Sequence, residues 1–164
     1  MIREMLPGEQ ALVGDLRVSA YRALGVLTES TGYAETLRGF GFGHDDCVVL
    51  VAADEAGEIT GTVTLETFGP DSELARDETE ADVRAFAVSA AAQGRGVGRE
   101  LLVALIQLAG ANGLRRLRLC TLPPMKAAQH LYETAGFTRT PDLDWEPAPG
   151  VALRAYELAI PQRA

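Results

Sequence analysis

Gln93-Gly94-Arg95-Gly96-Val97-Gly98 joins a strand pattern to a helical one through three glycines, and this junction sets the fold class. Before it, residues 82–88 set Val83, Ala85 and Ala87 against Arg84, Phe86 and Val88 in the two-residue alternation of a strand. After it, Val97, Leu101, Leu105 and Leu108 recur at helical spacing, which predicts a helix over 97–110. The first turn of such a helix carries N–H groups without intrahelical partners and a partial positive charge. Glycines, lacking Cβ, let an anion approach those donors, so the stretch suits a phosphate or pyrophosphate. Arg95 and Arg99 add charge. The glycines at 94, 96 and 98 miss the Gly-x-Gly-x-x-Gly dinucleotide spacing, and no Gly-Lys-Ser/Thr of a P-loop follows. A purely structural turn is the other reading of the stretch taken alone.

Working outward, a helix is expected at 11–24 after a short strand at 2–6, and a second at about 29–38. Residues 47–53 and 59–68 read as a hairpin around Asp54-Glu55-Ala56-Gly57-Glu58, and 70–79 as an acidic loop. Asn112-Gly113 stops the helix at 97–110, a strand is expected at 114–122, and Pro123-Pro124 opens a short helix that Gly136 ends. A last strand falls at 151–160. The order predicts a mixed α/β (α+β) domain built on one sheet.

The chain has 164 residues, a length that one domain accommodates. Its 47% hydrophobic and 23% charged residues are ordinary for a globular protein. The formal charge is -8 and Lys126 is the only lysine, so no basic stripe is present and nucleic-acid binding is not expected. No apolar run has the length of a membrane span, and the N-terminus lacks the build of a signal peptide, which together predict a cytoplasmic protein without membrane contact. Cys47 and Cys120, with His44 and His130, assemble neither a disulfide framework nor a metal site. Cys120, in an apolar strand without a basic partner, reads as core rather than as a nucleophile. His130 is expected at the surface, and His44 on a loop.

Further along, Ala128, Leu131, Tyr132, Gly136 and Phe137 follow the Gly-rich stretch after one strand. At this point the chain resembles the GNAT superfamily of N-acetyltransferases. Gln93, Gly96 and Gly98 match its Gln/Arg-x-x-Gly-x-Gly/Ala acyl-CoA pattern, and the later residues match its Ala-x-x-Leu-Tyr-x-x-x-Gly-Phe pattern. Met125 stands where many relatives carry Asn. The resemblance implies a mostly antiparallel sheet splayed between strands 82–88 and 114–122, with helices on both faces. It divides the chain into an acceptor-side part (1–79), an acyl-CoA-binding core (80–137) and C-terminal strands (138–164).

The resemblance further implies acetyl-CoA as co-substrate, with no metal. Its pantetheine arm would lie in the gap against Phe86, Ala87, Val88 and Ala128. Its diphosphate would sit on Gln93, Gly94, Arg95, Gly96, Val97, Gly98 and Arg99. Transfer to a primary amine of a small molecule or peptide is direct, and a homodimer through the C-terminal strands is compatible with the family. An alkylammonium of pKa about 10.4 needs a base at neutral pH. Asp82 is the first candidate and Glu80 the second, against a solvated acidic edge over 71–82. Tyr132 is the candidate general acid for the leaving thiolate, against a plain core tyrosine. A rival from another class is an acyl-CoA-binding sensor or interaction module without turnover.

Overall fold

A computed structural model describes residues 1–27 and 32–162. Its elements are β1 (Ile2–Glu4), α1 (Gln10–Ala23), α2 (Tyr33–Gly39), β2 (Cys47–Ala53), β3 (Ile59–Thr67), β4 (Glu80–Val88) and α3 (Val97–Ala111). There follow β5 (Arg116–Thr121), α4 (Lys126–Thr134), β6 (Thr138–Arg139), β7 (Trp145–Ala148) and β8 (Val151–Ala159). The expected start of the second helix at 29–31 lies outside the described residues.

The strands form an eight-stranded sheet in the order β1-β2-β3-β4-β5-β8-β6, with β7 also paired to β8. Every ladder is antiparallel except β4–β5. Alternation along β2 sets the layers. Val49 and Val51 pack on Val13 of α1, while Leu50 and Ala52 join Leu101 and Leu105 of α3. Helices therefore cover opposite faces, as successive strand side chains require. The architecture is a mixed α/β single domain with an open, mostly antiparallel sheet, as the sequence predicts. Among the described residues no helix is long and apolar enough to cross a membrane.

The parallel pair β4–β5 is short. It holds at Glu80↔Arg116, Ala81↔Leu117 and Asp82↔Arg118, and beyond that rung the two strands share no ladder. The edge of β4 from Val83 to Val88 that faces β5 therefore opens onto a cleft in the middle of the sheet.

On the α1 face, Arg17 is fully buried. It donates to the carbonyls of Leu37 and Phe40 at the end of α2 and to Thr64 Oγ1 of β3. With its guanidinium 4.7 Å from the Phe42 ring centroid, it ties α1, α2 and β3 together. Burial pulls its pKa down to about 10, so it stays charged at neutral pH. Gly14 sits where this crossing is tightest: a Cβ there would stand 2.7 Å from the Arg38 carbonyl oxygen and from its Cγ. Gly→Ala in a helix interior ordinarily stabilises by about 0.5–1 kcal/mol. Here Gly14→Ala is expected to destabilise by about 1–3 kcal/mol instead, because a backbone atom must give way. Urea denaturation of the two proteins measures the sign directly.

Candidate active site

The cleft owes its lining to a defect in β4. Opposite the single residue Val63, β4 carries two, Ala85 and Phe86, so the register slips between Thr64↔Arg84 and Thr62↔Ala87. Ala85 has φ +50°, the one non-glycine residue with positive φ among those described. An L-residue in that region costs roughly 1–2 kcal/mol, and such bulges re-aim the side chains that follow. Before the bulge, Ala81 and Val83 face α3; after it, Phe86 does. Strict alternation, as the sequence suggests, would send Phe86 to the α1 face. The bulge turns it toward α3 and α4.

At the next corner, Gly96 caps α3 with φ +83°, and Gly94 has φ +79°. The N–H groups of residues 94–99 find no acceptor among the described residues. Gln93, Gly94, Arg95, Gly96 and Arg99 are exposed, while Val97 and Gly98 are half-buried. Gly98 plays a different part from Gly96. A Cβ at 98 would meet Leu131 Cδ2 of α4 at 3.1 Å and Phe86 Cζ at 3.4 Å, so its smallness lets β4, α3 and α4 converge. Space at Gly94 and Gly96 is open. A row of free donors at a helix N-terminus, with bare backbone before it, fits the diphosphate of a coenzyme A.

Two hydroxyls near the cleft, those of Tyr132 and Thr121, have no hydrogen-bond partner among the described residues. Tyr132 is 4% exposed. Its ring makes an edge contact with Phe86 at 6.0 Å and tilted contacts with Phe137 and Tyr156 at 5.8 and 6.2 Å. The hydroxyl of Tyr156 donates to Glu133, but no hydrogen bond holds that of Tyr132. Burial pushes the Tyr132 pKa above its ordinary value, so the group is a permanent donor at neutral pH. Thr121 Oγ1, on β5 beyond the last shared rung, is buried without a partner. An orphaned buried hydroxyl such as that of Thr121 is costly. Ala128, half-buried on α4, packs against the same core.

The two carboxylates singled out as bases have other engagements. Asp82 is fully buried and accepts three backbone N–H bonds, from Glu73 and Leu74 on Oδ2 and from Ala75 on Oδ1, all at 3.0–3.1 Å. Burial pushes its pKa up despite those donors. Glu80 takes two bonds at 3.1 Å from the Arg118 Nε and Nη2 and one at 3.0 Å from the Arg76 N–H. Burial would raise its pKa, but Arg118 and the Arg76 N–H bring it below the ordinary carboxylate value. Neither belongs to a solvated edge: both turn inward from the 71–82 segment and fold it down.

On the α1 face of the same opening, Arg84 lies 4.4 Å from the Phe40 ring centroid. It is paired with Glu66 at 3.1 Å and with Glu73 at 3.4 Å. Tyr21 lies within electrostatic reach of Tyr132 and of Arg84. Cys120 follows Arg118 on β5, and burial pushes its thiol up to about 12, so it remains protonated and a poor nucleophile. His44 and His130 are exposed. The bulge at Ala85, Thr121 and the Glu66–Arg84–Glu73 group escaped the reading of the sequence. A positive φ and a missing hydrogen bond leave no mark on residue order.

Comparison with known proteins agrees with this geometry. The acetyltransferase (GNAT) family pattern matches residues 15–137. No curated protein sequence matches the chain. Among solved structures, a GNAT-family acetyltransferase from Staphylococcus aureus Mu50 superposes with a TM-score of 0.76 at 16% identity, covering 98% of this chain and 99% of that one. The ribosomal-protein-S18-alanine N-acetyltransferase of Escherichia coli gives 0.72 at 17% identity, covering 100% and 96%. The PaiA N-acetyltransferase of Thermoplasma acidophilum, in complex with coenzyme A, gives 0.73 at 13%, covering 97% and 98%. The chain belongs to the acetyltransferase (GNAT) family, whose enzymes are acyl-CoA-dependent N-acetyltransferases.

Proposed function

We propose that this enzyme moves the acetyl group of acetyl-CoA directly to a primary amine of a small molecule or peptide. The observation that carries the reading is the free N–H row of residues 94–99 beside a sheet opening that contains the orphan hydroxyl of Tyr132. When bound, acetyl-CoA supplies an acyl group activated as a thioester. The N–H groups from Gly94 to Arg99 hold the diphosphate, with Arg95 and Arg99 adding charge and Gln93 at the rim. The unladdered edge of β4 at Phe86, Ala87 and Val88 pairs with the pantetheine amides, and Ala128 closes the opposite wall.

Tyr132 donates a hydrogen bond to the sulfur as negative charge develops there. A thiol has a pKa of about 8.5, well below that of a buried phenol. The tyrosine therefore stabilises the leaving thiolate as a donor and does not give up its proton outright. Asp82 and Glu80 act by position, fixing the loop over 73–80. Residues 80–137 form the acyl-CoA core, while 1–79, including α1 and α2, shape the acceptor side, with the 138–164 strands completing it. A tyrosine beside Phe86 whose hydroxyl is unspent by the protein favours turnover over a sensor.

The acceptor is a cationic amine. Glu66, Glu73 and Asp82 outnumber Arg84 where the acceptor side meets the cleft, and the chain as a whole is acidic. Clefts of one sign concentrate ligands of the other. A thiol-release screen over polyamines, aminoglycosides, amino acids and peptide N-termini tests both parts. Cationic amines are expected to turn over best, with kcat/KM falling as salt rises. Exclusive turnover of acidic acceptors refutes the electrostatic part, and no release with any amine refutes the enzyme reading.

A further inference from the structure

We propose that Glu73, on the loop between β3 and β4, is a catalytic residue that accepts the proton of the acceptor amine. The inference rests on the acetyl-transfer reading above. Its carboxylate lies where the sheet parts. Arg84 of β4, 3.4 Å from it, stands two residues beyond the last rung shared with β5, Asp82↔Arg118. Cys120 of β5 stands two residues beyond the same rung on the other side, close enough for the charge of Glu73 to add to the burial that raises its thiol. Arg84 and Cys120 share the face of Asp82 and Arg118, whereas Tyr132 enters from the core on the α3 side. A proton acceptor and a donor therefore approach one opening from different faces of the sheet, so that one can serve the attacking nitrogen and the other the departing sulfur.

Availability separates Glu73 from its neighbours. Asp82 is occupied by three backbone donors and Glu80 by Arg118. Glu66, buried on β3, holds the closer bond to Arg84. Glu73 keeps the looser pairing, and its side chain is 19% exposed, so a proton taken there can leave to water. It is also held in place. Its own N–H and those of Leu74 and Ala75 bind the carboxylate of Asp82, so the loop is clamped at the residue that must be aimed. The groups facing it are Arg84 and Asp82 from β4, Cys120 from β5 and Tyr33 from α2, with Glu66 of β3 behind on Arg84 and Trp145 of β7 on Cys120.

In the step, an ammonium gives one proton to the Glu73 carboxylate, directly or through one water. The nitrogen lone pair forms the bond to the acetyl carbon, and the carbon–sulfur bond breaks with its electrons going to sulfur under the Tyr132 hydroxyl. A second nitrogen proton is lost as the amide forms. One proton ends on the thiol and one in solvent, so ammonium plus thioester becomes amide, thiol and H⁺.

The test compares wild type, Glu73→Gln and Glu73→Asp with the best amine from the screen, and with an alkoxyamine that is already neutral at pH 7. Glu73→Gln should lower kcat for the alkylamine by about 10²- to 10⁴-fold at pH 7, the range of a positioned base. The loss should shrink to about 10-fold or less with the alkoxyamine, which needs no deprotonation before attack. Acetyl-CoA affinity by calorimetry should hold within about twofold, since the sites are separate. Glu73→Asp, which keeps the carboxylate, should retain the wild-type pH profile at an intermediate rate, and it carries the test if the Gln variant melts early. A Glu73→Gln protein retaining more than about half the wild-type kcat, or losing equal rate with both acceptors, overturns the proposal alone. A wild type that binds acetyl-CoA yet acetylates no amine overturns the enzyme reading and this inference together.

Discussion

Tyr132→Phe is expected to lower kcat by about 10²- to 10³-fold, the loss seen when one donor aimed at developing charge is removed. The substitution keeps the ring and its contacts with Phe86, Phe137 and Tyr156. It deletes a hydroxyl that bonds to nothing in the protein, so folding stability should stay the same or rise slightly. That separates function from packing. A tyrosine kept only for the core would leave turnover per folded molecule near normal. Because burial raises the Tyr132 pKa, no alkaline fall in kcat assignable to this group should appear below pH 10, the ordinary phenol value. Measurement of kcat, acetyl-CoA affinity and the melting curve on one preparation decides between the two roles. A well-folded variant with more than about half the wild-type kcat would remove Tyr132 from the mechanism.

The second large effect is expected at the diphosphate site. Gly96→Val should weaken acetyl-CoA binding by about 10²-fold or more, the equivalent of losing two charge-assisted hydrogen bonds. At φ +83° a β-branched residue is a steric outlier, so the turn before α3 must rearrange and its N–H groups lose their common aim. The protein itself offers the new side chain no clash, since nothing lies within 4 Å of its Cβ. The loss should therefore appear in binding more than in folding. Gly98→Ala should act differently: its Cβ presses on the Leu131 side chain and touches Phe86, so these two must shift by a few tenths of an ångström where β4, α3 and α4 converge. Calorimetric titration with acetyl-CoA distinguishes these cases, and equal affinities for wild type and Gly96→Val would refute the diphosphate assignment.

Local order was legible where one physical signal dominated. The hairpin of β2 and β3 follows from two apolar runs around a polar turn, and α3 from its Leu101/Leu105/Leu108 stripe and from Gly113, which adopts φ +74° just past its end. β6 and β7 went unread because Thr138-Arg139 is two exposed residues and Trp145-Glu146-Pro147-Ala148 is exposed throughout. With no buried face there is no alternation to detect. They exist because β8 offers them an edge.

The residues alone carry the order of elements from β1 to α4, the glycine corner before α3 and the presence of Tyr132 on the following helix, because propensity and periodicity act over a few neighbours. Only the tertiary structure decided which carboxylate is free. Asp82, Glu80, Glu66 and Glu73 look alike along the chain. Their partners come from other segments: backbone donors at 73–75, Arg118 on β5, Arg84 on β4. The same holds for the bulge at Ala85, which puts Phe86 beside Tyr132. A carboxylate's chemistry is set by what surrounds it within a few ångströms, and in a sheet those surroundings are supplied by strands distant in sequence.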